Sequence, residues 1–254
     1  MPANSKTKKT ILTLTNNKKN NEPTVLVTAY DYPQARIADM SGVDCILIGD
    51  SMGMTTLGHK TTIPVTMDNM IGACEAVSRG ANNALIIGDM PYMSYQPSDQ
   101  VAVENAGRFI VSGCDMVKVE GAMTDRIKAI CDAGIMVMSH LGLTPHTRAK
   151  LGGYRVQGKT AAQAEIVLEQ ARKLQDAGCS ALLLEAMPKE PAGMIAREYV
   201  DEVRNRQFPS QENFYEIKEE ELEKLLGDSK WKYETDQGFP TNHSATPNNV
   251  TEKK

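Results

Sequence analysis

Four short apolar runs in this chain each end in a carboxylate. The runs CILIGDS, ALIIGDM, DMVKVEG and ALLLEAM carry Asp50, Asp89, Glu120 and Glu185 at or near their ends. A continuous apolar run of about four to eight residues is typical of a strand that is buried on both faces, as in an all-parallel sheet. In parallel α/β folds the reactive groups lie just past the carboxyl ends of such strands. We therefore expect these four carboxylates to face one cleft.

Several carboxylates in one cleft repel each other unless a cation lies between them. Oxygen ligands from two or three carboxylates suit Mg²⁺ or a similar hard ion. The repeat therefore predicts a metal-assisted active site. For any one of the acids taken alone, a helix N-cap or a solvated loop position is an equally good interpretation. Four acids in corresponding positions favour the site.

Lys118, His140 and Ser51 accompany the acids. Lys118 lies inside the apolar run MVKVE, where a lysine must either extend to solvent or pair with a carboxylate or an anionic ligand. A purely structural ion pair is the alternative. His140, in SHLGLTP, could be a packed histidine bonded to the backbone, but it follows the fifth strand-like run, between two other candidate strand ends. Its position favours a role in the site.

Strand-like and helical patterns alternate along the chain and predict six βα units. This alternation is typical of a parallel α/β fold. Four glycines each follow a helical stretch, where a left-handed C-cap favours glycine: Gly80, Gly113, Gly134 and Gly178. We predict strands at 24–28, 45–48, 84–88, 115–119, 135–138 and 181–184, and helices near 34–41, 67–79, 98–112, 123–133, 160–177 and 190–198.

The chain of 254 residues suits a single β/α barrel, which typically needs about 250 residues. We predict a polar N-terminal segment over 1–23 with a short helix near Thr10–Thr15, and a β/α catalytic domain over 24–198. A helical C-terminal segment follows over 199–226. The remaining residues, 227–254, are polar and predicted to be disordered.

Composition excludes several functional classes. The net charge is −4 and the 28 basic residues form no long runs, so a nucleic-acid partner is not expected. No apolar stretch approaches the roughly 20 residues needed to span a bilayer, and the basic N-terminus leads only into ILTL. We expect a cytoplasmic protein without membrane contact. The five cysteines form no CxxC pair and are interpreted as reduced packing residues.

Residues 153–160, GYRVQGKT, match the phosphate-loop pattern G-x4-G-K-[ST]. A phosphate loop emerges directly from a buried strand, whereas this stretch follows the polar TPHTRAKLGG. We therefore interpret the match as fortuitous and Thr160 as a helix N-cap. The glycine pair Gly152 and Gly153 with Lys159 is interpreted as a basic lid over an anionic ligand.

The chain resembles the ketopantoate hydroxymethyltransferase family between residue 24 and about residue 198. The stretches that carry the resemblance are TAYDYPQARIAD, GDSMGMTTLGH, IPVTMDNM, RGA, GDMPYMSY, MVKVEG, HLGLTPH and GGYRVQGKT. The resemblance implies a (β/α)8 TIM barrel of the phosphoenolpyruvate mutase-like group and a homo-oligomer, often a decamer. It also implies bound Mg²⁺ and 5,10-methylenetetrahydrofolate as co-substrate.

By the same resemblance, the reaction is transfer of a hydroxymethyl group to 3-methyl-2-oxobutanoate through a Mg-stabilised enolate, giving 2-dehydropantoate for pantothenate biosynthesis. Glu185 would be the base that removes the proton from C3, and its place after ALLL suggests a partly desolvated carboxylate with a raised pKa. The implied metal ligands are Asp50, Asp89 and Glu120. The implied substrate contacts are Asp50, Ser51, Asp89, Lys118 and His140.

The resemblance breaks between Glu198 and Tyr199. The family pattern should continue through two more βα units, which amount to roughly 60 residues. We therefore expect a barrel that lacks strands 7 and 8 and is poorly stable, oligomerises over its open edges, or closes irregularly. Two alternatives remain: a catalytically impaired deletion form, or a related 2-oxo acid lyase or mutase, although no cysteine fits the reactive lid residue that such an enzyme needs.

Overall fold

The computed structural model of the protein describes residues 7–189 and 191–195. Six strands form one curled parallel sheet, and their order in the sheet is their order in the chain. All six predicted strands are confirmed; the fifth extends four residues beyond its predicted end. The strands are β1 (Leu26–Thr28), β2 (Cys45–Ile48), β3 (Leu85–Asp89), β4 (Met116–Glu120), β5 (Met136–Gly142) and β6 (Ala181–Glu185).

Helices connect successive strands, as a βαβ chain requires. The short α3 and the 3-10 turn after β5 were not predicted. Residues 191–195 are also helical. In the described part of the chain, no helix is long and apolar enough to cross a membrane. The helices are α1 (Ile11–Lys19), α2 (Tyr32–Ser41), α3 (Met52–Thr55), α4 (Met67–Gly80), α5 (Asp99–Val111), α6 (Thr124–Asp132), α7 (Ala161–Asp176) and the 3-10 turn Pro145–Thr147.

The sheet has an apolar core on each face. Successive residues of a strand point to opposite faces, so Ile46 and Ile48 of β2 pack in the core shared with the helices. Cys45 and Leu47 point the other way, into a smaller cluster on the concave face. Burial on both faces explains why these strands are apolar without alternation.

Helix α1 lies at the amino end of the sheet. Ile11 and Leu14 pack against the concave cluster, and the Lys9 backbone N–H donates to the Asn83 carbonyl just before β3 (2.6 Å). The Lys8 ammonium lies 2.8 Å from Asp115, just before β4. The apolar concave face is therefore covered at this end, and the opposite, carboxyl end remains for the site.

Three of the four predicted glycine caps are confirmed. Gly113, Gly134 and Gly178 have φ values of +97°, +82° and +91°. The prediction for Gly80 is wrong, because Gly80 is the last residue of α4 and the helix is capped by Ala81 in an extended conformation. A Cβ at Gly80 would lie 2.6 Å from the Tyr32 carbonyl oxygen. Glycine at this position therefore permits the close approach of α4 to α2.

We expect Gly80→Ala to destabilise the protein by about 1–3 kcal/mol, because the added methyl group collides with backbone that cannot move aside cheaply. Gly72→Ala is the matched control on the same helix, since a Cβ at Gly72 would meet no other atom within 4 Å. That change should stabilise by up to about 1 kcal/mol through helix propensity. Urea unfolding measures both, and equal effects of the two variants would refute the packing explanation.

Other predictions lie outside the described residues. These are the break between Glu198 and Tyr199, the helical segment 199–226 and the disordered tail 227–254.

Candidate functional site

The site depends on the alternation of side chains along the strands, in which every second residue points to the same face of the sheet. On the concave face, each of the strands β3 to β6 begins with apolar side chains that belong to or pack on the small core cluster, and ends with a charged or polar one. Because parallel strands end at the same edge, the polar side chains meet there. The concave-face residues are Leu85, Ile87 and Asp89 on β3; Met116, Lys118 and Glu120 on β4; Met136, Met138 and His140 on β5; and Ala181, Leu183 and Glu185 on β6.

Lys118 lies at the centre of the polar cluster and is 3% exposed. It is paired with Asp89 in the register of β3 and β4, and its Nζ donates to Asp89 Oδ1 at 2.8 Å. Glu120 Oε1 lies 3.8 Å from the same Nζ. Burial lowers the pKa of Lys118, but the surrounding carboxylates outweigh that effect and the pKa is raised. Lys118 is therefore a buried cation paired with carboxylates, as its sequence context required.

Asp89 shows that the cluster has an excess of negative charge. Its Oδ2 accepts the Asp50 backbone N–H at 3.1 Å. The pKa of Asp89 is raised to about 6, mainly by burial and also by the charges of Asp50 and Glu120, against the opposing effect of Lys118. One lysine does not balance three buried carboxylates, so the cluster would bind an added cation favourably.

Asp50 follows β2 and contacts a histidine that the sequence interpretation missed. His146 Nε2 lies 2.8 Å from Asp50 Oδ2. Burial raises the pKa of Asp50, but the hydrogen bond from His146 and the charge of Lys118 outweigh it and lower the pKa. The one sign of His146 in the sequence is its place in HLGLTPH, in the turn just after β5.

One group of side chains in the described part of the chain could hold a metal ion. Asp50, Glu120 and His146 each offer a ligand atom within 4.8 Å of the others, and all three are buried. Asp89, which was predicted as a ligand, is not in this group, since its two oxygens accept from Lys118 and from the Asp50 amide. Its role as a ligand stays a prediction.

The two carboxylate oxygens of Glu120 differ in their hydrogen bonding. Its Oε2 accepts the His146 backbone N–H at 2.9 Å, whereas Oε1 has no aligned hydrogen-bond partner among the described residues. Burial raises the pKa of Glu120, but contact with His140 and the charge of Lys118 lower it overall. A buried, ionised and unpartnered carboxylate oxygen suits a ligand for a hard cation.

His140 and Glu185 form the other side of the site. His140 Nε2 lies 3.2 Å from Glu185 Oε2, and Nδ1 lies 3.7 Å from Glu120 Oε1. Burial lowers the pKa of His140, but the two glutamates outweigh it and the pKa is raised. The Glu185 side chain is 44% exposed and is therefore partly desolvated, and β6 pairs only with β5 among the described strands.

Ser51 lies at the first turn of α3, where its hydroxyl is 2.9 Å from the Tyr30 hydroxyl.

Residues 153–159, in the phosphate-loop match, contain no helix or strand, and the preceding strand ends at Gly142. Thr160 caps α7 by accepting the Gln163 N–H, as predicted. The loop is held near β6 by a bond from the Gln157 N–H to the Ala186 carbonyl, 2.9 Å.

Comparison with known proteins assigns this arrangement to a family. The sequence profile described as ketopantoate hydroxymethyltransferase matches residues 8–199, which include every residue of the site. The chain belongs to the ketopantoate hydroxymethyltransferase family. The curated relatives are named 3-methyl-2-oxobutanoate hydroxymethyltransferase, so the family is one of enzymes. One from Geobacillus kaustophilus is 50% identical over 184 residues, which are 71% of this chain and 66% of that protein.

The chain spans just under two thirds of the length of that relative. A second family member, from Alkaliphilus metalliredigens, is 39% identical over 279 positions, which cover 88% of this chain and 99% of that protein. Since 88% of 254 residues is about 224, about 55 of those positions have no counterpart here. This difference agrees with a family member that lacks two βα units.

Solved structures show the same fold at low identity. 2,3-Dimethylmalate lyase, of the PEP mutase/isocitrate lyase superfamily, superposes with a TM-score of 0.57 at 17% identity over 76% of this chain and 67% of that one. Phosphonopyruvate hydrolase in complex with oxalate and Mg²⁺ gives 0.56 at 10% identity over 87% and 96%. These likenesses confirm the predicted β/α barrel fold, of which the described residues contain six parallel strands.

Proposed function

We propose that the protein transfers a hydroxymethyl group from 5,10-methylenetetrahydrofolate to 3-methyl-2-oxobutanoate, giving 2-dehydropantoate for pantothenate biosynthesis. The observation that carries the proposal is the cluster of three buried carboxylates around Lys118, at the carboxyl ends of adjacent strands. A 2-oxo acid has two adjacent oxygen groups that a cation and a lysine can bind together. Family membership supplies the reaction class.

The residues present fit Mg²⁺. Asp50, Asp89 and Glu120 offer only oxygen donors, their charge is in excess of that of Lys118, and Glu120 Oε1 accepts no hydrogen bond from the described residues. Hard oxygen ligands are those that Mg²⁺ prefers. When bound, Mg²⁺ supplies positive charge that polarises the oxo group and makes the C3 proton more acidic.

Four side chains of the site would bind the substrate or remove its proton. Lys118, with Ser51 and His140, would bind and orient the oxo acid. Glu185 would take the C3 proton with its Oε2, which lies 3.2 Å from His140 Nε2. Water would open the methylene bridge of the folate: both C–N bonds break, their electron pairs leave with the two folate nitrogens, which take the two protons of the water, and the carbon keeps the oxygen as a formaldehyde unit. The electron pair of the broken C3–H bond would then form the C–C bond to that carbon, its oxygen would take the proton from Glu185 and become the hydroxyl, and tetrahydrofolate would leave. Because the Glu185 side chain is 44% exposed, a large co-substrate could approach the reacting carbon from this side.

We further propose that the protein acts in the cytoplasm as a homo-oligomer. The open edge of β6 supports this, because its five residues are only partly buried in the described structure and association would cover them. A second candidate is a catalytically impaired form of the same enzyme. The 55 or so positions without a counterpart in this chain favour it.

The first test is exchange of the C3 proton of 3-methyl-2-oxobutanoate in D₂O, followed by NMR without folate. We expect exchange that requires Mg²⁺ and stops when the metal is chelated. Exchange that persists in excess chelator would remove the metal from the proposal. No exchange by a chain that circular dichroism shows to be folded would establish the impaired form.

A further inference from the structure

His146 is buried and both of its ring nitrogens have partners. Nε2 lies 2.8 Å from Asp50 Oδ2 and Nδ1 lies 3.1 Å from the Tyr95 hydroxyl. The side chain is 2% exposed, so water does not compete for these bonds. The ring therefore bridges Asp50 and Tyr95, two residues from distant parts of the chain.

The hydrogen atoms of the His146 ring can be assigned from the groups that its two nitrogens contact. An Asp50 carboxylate able to hold a cation is ionised and can only accept, so at 2.8 Å His146 Nε2 is the donor and carries the hydrogen. The Tyr95 hydroxyl accepts the Glu120 backbone N–H at 3.1 Å. Its own hydrogen can then go to His146 Nδ1, which is nearer than the Glu120 carbonyl at 3.4 Å.

This assignment argues against direct metal binding by His146. A histidine ligand uses an unprotonated nitrogen, yet Nε2 is protonated and Nδ1 accepts from Tyr95. Binding through either atom would break a buried hydrogen bond. The 4.8 Å proximity of His146 to Asp50 and Glu120 is explained instead by bonds to both, since the His146 backbone N–H also donates to Glu120 Oε2 at 2.9 Å.

We propose that His146 is a positioning residue that fixes the orientation of the Asp50 carboxylate, with Tyr95 holding its ring, and that it does not bind the metal. The inference rests on the proposed metal-dependent function. Groups that hydrogen-bond to metal ligands commonly contribute about 10–100-fold to metal affinity. The 3-10 turn that carries His146 begins at Pro145, whose fixed φ presets the backbone of the turn.

The test compares His146→Gln, whose amide nitrogen can replace Nε2–H as donor, with His146→Leu, which has no donor. Mn²⁺ serves as the probe, titrated by electron paramagnetic resonance. We expect His146→Leu to weaken Mn²⁺ binding by about 10–100-fold and His146→Gln to remain within about threefold of the wild type. Tyr95→Phe, which keeps the ring and removes the hydroxyl, should give a smaller loss and stands in if His146→Leu does not fold.

Two further readouts separate positioning from ligation. In the exchange assay, His146→Leu should raise the Mg²⁺ concentration for half-maximal rate far more than it lowers the rate at saturating Mg²⁺. Pulsed resonance on the Mn²⁺-loaded protein should show the same nitrogen coupling in wild type and His146→Leu. Loss of a nitrogen coupling in that variant, or equal weakening by Gln and Leu, would overturn the inference. Absence of Mn²⁺ binding by the wild type would overturn the proposed function as well.

Discussion

Glu185→Gln should reduce the rate of C3 proton exchange by about 10²–10⁴-fold, the usual contribution of a positioned general base. Glutamine keeps the size of the side chain and places a polar group beside His140 Nε2, which is 3.2 Å from the Glu185 carboxylate. It cannot accept a proton from carbon. The substitution therefore removes the chemistry while it preserves most of the contacts.

The measurement is the same NMR exchange assay, with Glu165→Gln as the matched control. Glu165 is an exposed glutamate on α7, so its loss of charge should leave exchange unchanged. Because Glu185 is not among the proposed ligands, the variant should also bind Mn²⁺ as tightly as the wild type. Equal exchange rates in wild type and Glu185→Gln would remove Glu185 from the role of base.

The strands and the convergence of the acids could be predicted because both depend on local pattern. An apolar run of four or five residues must be buried on both faces, and a carboxylate at its end must lie at the edge of a parallel sheet. Lys118 and Glu120 are two residues apart, which puts them on one face of β4. The contact of Lys118 with Asp89 then follows from the pairing of β3 with β4.

The role of His146 could not be predicted in the same way. It contacts Asp50, which is 96 positions away in the chain. His146 lies in a turn, and no periodic pattern in the sequence predicts the path of that turn. Tyr95 is fully buried in the loop after β3, yet its sequence context, PYMSY, looks like an exposed turn. Contacts made by loops depend on tertiary packing, which a single sequence does not determine.

The place of β6 at the edge of the described sheet explains where the strand pattern and the observed burial disagree. The runs in β2, β3 and β4 are completely buried, whereas the equally apolar ALLLE of β6 is only partly buried throughout. Among the described strands, β1 and β6 each have one neighbour. A strand whose sequence suits burial on both faces is therefore incompletely covered at β6, which is also why the Glu185 side chain is 44% exposed.

Lys118→Met should destabilise the protein by about 3–5 kcal/mol, the usual cost of removing one partner from a buried ion pair. Methionine fills much of the same volume, so the loss is mainly electrostatic. Asp89, Glu120 and Asp50 would keep their burial and lose the cation that lies 2.8 Å from Asp89. Lys128→Met is the control, because Lys128 and Asp132 form an exposed pair whose loss should cost at most about 0.5 kcal/mol.

The loss in Lys118→Met should also grow with pH when unfolding is measured by urea with chelator present. The pKa of Asp89 in the fold is about 6, above its ordinary value near 3.9. A raised carboxyl pKa contributes stability that is present at low pH and lost as pH rises through that value. Without Lys118 the pKa of Asp89 rises further. The ionisation of Asp89 therefore continues to destabilise the variant above pH 6, whereas in the wild type this loss of stability is largely complete at that pH. The difference in unfolding free energy between the wild type and Lys118→Met should therefore be larger at pH 8 than at pH 5. A difference that does not change with pH would show that Lys118 contributes through packing and not through its charge.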